Sequence, residues 1–251
     1  MANRNRHKDK HKNLINKPVQ EVLHQLVPGQ RKFLIRLGQG KSQEEGTLVQ
    51  RTQNVRFRRF PIAWGVPMDE LGYSYWMIHL LQQPIMPWDP IITCLNTYLP
   101  EARSYIHQSF VNECKTSKFL VMLDSDVIPP ANAITKCLDR KLPLVGGWYP
   151  KKSDDPKERK PVVYNFSHLD ENGTAKWNIR EKPGEGLEEV DGAGAGFWVM
   201  RRDVAEAIGE RPYDMLRCGE DLEMCLKVKE AGYNIYIDWS LKAEHRGVFS
   251  I

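Results

Sequence analysis

In the stretch FLVMLDSDVIPP, residues 119–130, five apolar residues run into Asp124 and Asp126, and the segment ends on Pro129 and Pro130. Residues i and i+2 of an extended chain point to the same side, so the two carboxylates can face one ligand together. That close, they repel and raise each other's pKa unless a cation lies between or beside them. Hard oxygen donors suit Mg²⁺ or Mn²⁺, and magnesium is usually held by one or two carboxylates together with substrate phosphates. The sharper reading is a metal–diphosphate site. The plainer one is a turn in which Asp126 prepares the next helix, and an isolated D-x-D does not choose between them.

Three later segments add chemistry. DGAGAGFWVMRRD places Gly192, Gly194 and Gly196 just before an apolar run, where a backbone can approach a ligand closely. CGEDLEMC offers Glu220 and Asp221 at a helix start, and EHRG offers His245 after a final strand. Each has an ordinary alternative: an acidic first turn that complements the helix dipole, or a capping histidine.

These residues need positioning elements. KFLVMLD is uninterrupted rather than alternating, the mark of a strand covered on both faces. RFPIAW reads as an earlier strand followed by a GVPMDE turn. YSYWMIHLLQQ reads as a helix with Tyr73, Trp76, Met77, Leu80 and Leu81 inward. Ile91–Leu99 reads as a strand, and ARSYIHQSFVNECKTS as a helix with Ile106, Phe110, Val111 and Cys114 inward. ANAITKCLDRK is a helix, LPLVGGWYP a strand, and PVVYNF and AKWNIR modest strands. GFWVMRR runs into the helix DVAEAIG. GEDLEMCLKVKEAGY is a helix with Leu222, Cys225 and Leu226 inward, and NIYIDW is the last strand. The alternation predicts an α/β sandwich on a mainly parallel sheet, and ligands of such sheets bind beyond the carboxyl ends of the strands.

The 251 residues are 41% hydrophobic and 27% charged, ordinary for a globular protein. No run reaches the roughly 18 apolar residues of a membrane span, and the basic start MANRNRHKDKHKN leads into no signal-like stretch, so a cytoplasmic protein is expected, bacterial or in a virus-infected cell. Cys94, Cys114, Cys137, Cys218 and Cys225 are scattered, as buried thiols are. The net charge of +4 hides a split: residues 1–60 carry 14 Lys and Arg against 4 Asp and Glu, and the remainder 22 against 28. Two regions follow, a basic flexible arm over 1–54 and a domain over 55–251. The arm is either a solvated tail or a polyanion-binding segment for nucleic acid or an anionic surface.

Taken in order, FLVMLDSD, DGAGAGFWVMRRD, GEDLEMCLKVKEAGYNIYID and EHRG resemble a GT-A-fold glycosyltransferase of the inverting family 2 type, similar to compact phage and metagenomic members, over residues 60–251. The resemblance implies a GT-A-like (Rossmann-like) α/β/α sandwich with a mainly parallel mixed sheet. It implies transfer of a hexosyl-type sugar from a nucleoside-diphosphate sugar, such as a UDP- or GDP-sugar, to an acceptor hydroxyl with inversion. Asp124 would meet the ribose or sugar, Asp126 would ligate the Mn²⁺ or Mg²⁺ bridging the phosphates, and His245 would be a further metal ligand. Asp221 would be the base, with Glu220 beside it. A helix N-terminus would lower the pKa of Asp221, so burial would have to oppose it. Asp69 in the GVPMDE turn would lie by the nucleotide, and Arg103 in EARSY is the nearest match to a nucleotide-side arginine, though its spacing to the acids departs from the pattern. Gly146, Gly147 and Trp148 would floor the sugar pocket, with core packing of Trp148 the equal alternative.

Two other readings remain open at this level. A nucleotidyltransferase would show a Gly-rich, Arg-containing loop after the first strand, which WGVPMDE lacks. A non-catalytic nucleic-acid-binding protein, with a basic arm on an inactive GT-A-like domain, is disfavoured by the presence of every expected acid.

Overall fold

In the computed structural model, residues 61–68, 74–153, 155 and 158–246 are described. The expected 1–54 arm, Asp69 and Tyr73 lie outside them. Along the chain come β1 (Ile62–Met68), α1 (Ser74–Leu81), β2 (Ile91–Leu95), α2 (Leu99–Asn112), β3 (Phe119–Leu123), β4 (Val127–Ile128), α3 (Ala133–Arg140) and β5 (Leu144–Trp148). Then follow β6 (Val163–Leu169), β7 (Ala175–Ile179), β8 (Leu187–Val190), β9 (Gly192–Ala193), β10 (Phe197–Arg201), α4 (Arg202–Ala207), α5 (Glu220–Glu230), β11 (Ile235–Lys242) and β12 (Glu244–His245).

Seven strands form one sheet in the order β2-β1-β3-β10-β5-β11-β8. β1, β2, β3, β5 and β11 run one way, and β10 and β8 run against them, so the sheet is mixed and mainly parallel. The apolar run of β3 divides by alternation. Leu120 and Met122 enter one core with Ile106, Phe110, Met224 and Val228; Val121 and Leu123 enter the other with Trp64, Trp76, Ile134 and Val199. Helices α2, α4 and α5 therefore cover one face and α1 and α3 the other. That double cover is why the run is not interrupted by polar residues. Each large apolar side chain buried in this way contributes about 1.5–3 kcal/mol.

Several local expectations are corrected. The GVPMDE turn is strand as far as Met68, because Gly65 to Met68 pair with β2 and Gly65 lies beneath Ile106. β2 ends at Leu95 rather than Leu99: Asn96 takes a left-handed φ of 49°, and Pro100 opens α2. Leu81 is half exposed. In α5 the fully buried positions are Glu223, Met224, Cys225 and Val228, with Leu222 and Leu226 only partly covered. Glu223 is tolerated inside because Arg217 closes a salt bridge on it at 2.8 Å.

The register brings one edge of the sheet together. Leu123 pairs with Phe197, so the carboxyl end of β3 meets the amino end of antiparallel β10; Trp148 pairs with Lys242, so β5 and β11 end at the same edge. The chain leaves that edge through Asp124, Tyr149 and, by way of β12, His245.

Candidate functional site

Asp124 is the first residue beyond β3. Its backbone N–H donates to the Gly196 carbonyl at 3.0 Å, and its own carbonyl accepts from Val127 N–H at 3.1 Å, closing a tight turn through Asp126. β4 then pairs with β12, Val127 opposite His245, and Arg246 N–H donates to the Asp126 carbonyl at 2.9 Å. This short ladder is what carries a histidine over a hundred residues away to the side of the D-x-D turn.

The acids divide into two groups. Asp124, Glu220 and Asp221 surround the guanidinium of Arg103, which rises from α2 and is 2% exposed. One terminal nitrogen donates to Asp124 Oδ2 at 2.7 Å; the other serves Glu220 at 3.1 Å and Asp221 in a shorter contact. Tyr213 lies under the guanidinium, 6.0 Å from ring centroid to Cζ. Burial alone would lower the pKa of Arg103, but the charges of Asp124 and Asp221 outweigh it and hold the arginine firmly protonated.

Asp126 has partners of its own. Its Oδ2 pairs with Lys152, and its Oδ1 lies 3.9 Å from His245 Nε2. His245 Nδ1 is 2.8 Å from the Pro150 carbonyl. A carbonyl only accepts, so Nδ1 carries a hydrogen, and in the neutral ring the lone pair of Nε2 faces the Asp126 carboxylate. An imidazole oriented by a backbone carbonyl, with its other nitrogen towards a carboxylate, is an arrangement that ligating histidines commonly have.

The titration of the acids follows from their surroundings. Loss of surrounding water pushes the Asp221 carboxyl up to about 6; Glu220 and Asp124 add to the rise, while Arg103 and the Ala195 N–H oppose it. The lowering expected from the helix N-terminus is thus overridden by burial. The Asp124 carboxyl is also raised, first by burial and then by Asp126, against the pull of Arg103. Its Oδ1 is buried and has no hydrogen-bond partner, an acceptor left over for a ligand.

The glycine segment floors this group. Gly196 N–H donates to the Tyr149 hydroxyl at 2.9 Å. A Cβ on Gly196 would lie 2.8 Å from Asp124 Oδ2, and one on Gly194 would lie 2.4 Å from the Tyr149 hydroxyl. The close approach foreseen for Gly194 and Gly196 is made to the protein's own Tyr149 and Asp124. Trp148 packs in the core: it is 8% exposed, and its indole N–H donates to the Trp239 carbonyl at 2.9 Å.

The sequence-derived acids Asp124, Glu220 and Asp221 therefore come together, joined by Arg103, and Asp126 and His245 form an adjacent pair. Among the described residues no group of three or more His, Cys, Asp or Glu is gathered as a metal cage. The pair fits a cation that takes its other positions from phosphate oxygens and water, as magnesium commonly does. Tyr149, Lys152 and Tyr213 were not singled out from sequence. Tyr149 had one available signal, since it follows β5 at the same sheet edge as Asp124; Lys152 and Tyr213 sit in irregular segments that pattern does not place.

No family model and no curated protein matches the chain. Among solved structures, A197 from STIV aligns with a TM-score of 0.53 at 22% identity, over 75% of this chain and 86% of that one. GalNAc-T7, solved with UDP, GalNAc and Mn²⁺, aligns with a TM-score of 0.46 at 12% identity, over 75% of this chain and 44% of that one. The likeness to A197 concerns the fold, which is a GT-A-like α/β/α sandwich. No helix among the described residues is long and apolar enough to cross a membrane.

Proposed function

We propose that the chain is a metal-dependent glycosyltransferase of the inverting family 2 type, moving a hexosyl group from a nucleoside-diphosphate sugar to an acceptor hydroxyl. The observation that carries this reading is the convergence of Asp124 and Asp221 on one guanidinium at the carboxyl edge of the sheet. A donor-side acid and a base candidate thereby share one site, where open α/β sheets bind their ligands.

Each residue then has a task. Asp126 and His245 would hold the Mn²⁺ or Mg²⁺, with the unpartnered Oδ1 of Asp124 turned to the donor. The cation, when bound, neutralises charge developing on the leaving nucleoside diphosphate. Asp221 takes the proton of the acceptor hydroxyl as that oxygen attacks the anomeric carbon opposite the leaving phosphate, which inverts the centre. A carboxylate held near 6 is ionised at neutral pH yet more basic than an ordinary aspartate, as general-base work requires. Glu220 flanks it and keeps its negative potential high. A UDP- or GDP-sugar donor, a cytoplasmic location and contact of residues 1–54 with a polyanion belong to the same proposal.

The test is a thermal-shift and hydrolysis screen of the full chain with Mn²⁺ against a panel of nucleotide sugars, since a ligand that binds the folded state raises its apparent stability. Stabilisation and turnover by one donor class, abolished by EDTA, support the reading. A flat response across the panel overturns it.

A further inference from the structure

We propose that Arg103 is a positioning residue, an internal counter-ion that sets Asp221 against Asp124, and not a contact to the nucleotide. This rests on the glycosyl-transfer reading for the names of the two sides, but its geometry stands by itself.

Both terminal nitrogens of Arg103 are already committed. One serves Asp124 and the other serves Glu220 and Asp221. Three of its five N–H groups are used in this way, and Nε is buried inside the packing of α2 without a partner. Tyr213 packs below the guanidinium, and Ile106 and Phe110, one and two turns further along α2, are buried in the core. The helix cannot shift the arginine towards a ligand without opening that packing.

The elements it joins are otherwise far apart in the chain. Asp124 stands at the end of β3, and Glu220 and Asp221 open α5. A planar, forked group is suited to tying two such elements at fixed separation, which the single nitrogen of a lysine is not. The balance of charge points the same way. Three carboxylates face one guanidinium, so the cluster stays anionic and keeps its demand for a ligand cation while Arg103 prevents the acids from driving one another apart. By occupying Asp124 Oδ2, Arg103 also competes with any cation for that carboxylate.

Arg103→Gln removes the charge and retains hydrogen-bond donors; Arg103→Lys keeps the charge without the fork and serves if the glutamine variant does not fold. In either, kcat should fall about a hundredfold or more, as misplacement of a reacting group produces, with donor KM changing by less than about threefold. In Arg103→Gln, where the competing charge is gone, binding of free Mn²⁺, followed by electron paramagnetic resonance, should tighten by about fivefold or more, the low end of ordinary coupling between sites. A loss of donor or UDP affinity of about tenfold or more with kcat retained would make Arg103 a nucleotide contact and overturn the inference. If the wild type transfers no sugar, the proposed function fails, and the manganese comparison alone judges Arg103: tighter binding in the variant supports it, and equal or absent binding in both sinks it.

Discussion

The Gly196 N–H donates to the Tyr149 hydroxyl across 2.9 Å, and the two are packed so closely that no side chain fits on the glycine. Tyr149 is fully inside, its phenol pushed well above its usual range by burial and by Asp221 and Asp124, so it remains neutral. Asp124 Oδ2 lies against the same glycine. The contact thus fixes how far the β10 entry stands from the D-x-D turn.

Gly196→Ala forces a methyl group against a carboxylate oxygen and a ring, and should cost about 1–3 kcal/mol by overpacking. Tyr149→Phe leaves a buried N–H without an acceptor, also about 1–3 kcal/mol. Urea denaturation measures both. The alanine variant should lose transfer as well, because the displaced oxygen belongs to Asp124; a Gly196→Ala protein of normal stability and activity would contradict this packing.

Asp221→Asn keeps size and shape but removes the proton acceptor. Transfer should drop by about 10²–10⁴-fold, the usual worth of general-base catalysis, with donor binding retained. In the wild type, kcat/KM should fall as pH drops through about 6, since protonated Asp221 accepts nothing. For stability the sign is opposite. The folded carboxyl holds its proton more tightly than the unfolded one, near 3.8, so this group favours the folded state at low pH, and that contribution is lost as pH rises from about 4 to about 6. An acid limb that persists unchanged in a partly active Asp221→Asn enzyme would assign it to another group.

Asp126→Ala and His245→Ala each remove one of two facing donors. Mn²⁺ affinity should fall by an order of tenfold or more in either, a scale reached even by outer partners of metal ligands. Lys152→Ala should act in the opposite direction, because the ammonium now paired with Asp126 competes with the metal. Isothermal titration calorimetry on the three variants would show the split, and a uniform response would remove the cation from this pair.

Much of this arrangement is legible in the residues, and the limits have physical causes. The layered α/β fold follows from the period of the apolar positions, and FLVMLDSD announces a strand ending in acids. Where β1 stops is not legible, because GVPM has turn composition, yet Gly65 is needed to admit Ile106 beneath a continuing strand. Leu222 and Leu226 looked inward by hydropathy alone, while the buried place at that turn of α5 belongs to Glu223, paid for by an arginine six residues earlier. Arg103 is the deepest case. Its spacing from the acids departs from the pattern of the family the motifs resemble, and only the packing of α2 across the sheet reveals that a long side chain reaches all three carboxylates.

Arg217 anchors the segment that leads into Glu220 and Asp221. Its backbone N–H donates to Glu223 at 3.0 Å, and its guanidinium grips Glu223 at 2.8 Å and Glu230 at 3.2 Å, tying the segment before Glu220 to two further turns of α5. Glu223 is fully buried, whereas Arg217 is a quarter exposed, so the two halves of the pair are not equivalent. Arg217→Met strands a charge inside and should cost about 3–5 kcal/mol, the usual result of breaking a buried pair from one side. Glu223→Gln removes the charge with its shape preserved and leaves Arg217 both Glu230 and solvent, so about 1 kcal/mol is expected, the scale of one hydrogen bond. Equilibrium urea unfolding decides the order. If the glutamine variant proves the less stable, Arg217 is dispensable and the anchoring of the Glu220–Asp221 turn lies in the apolar contacts of Met224 and Val228 instead.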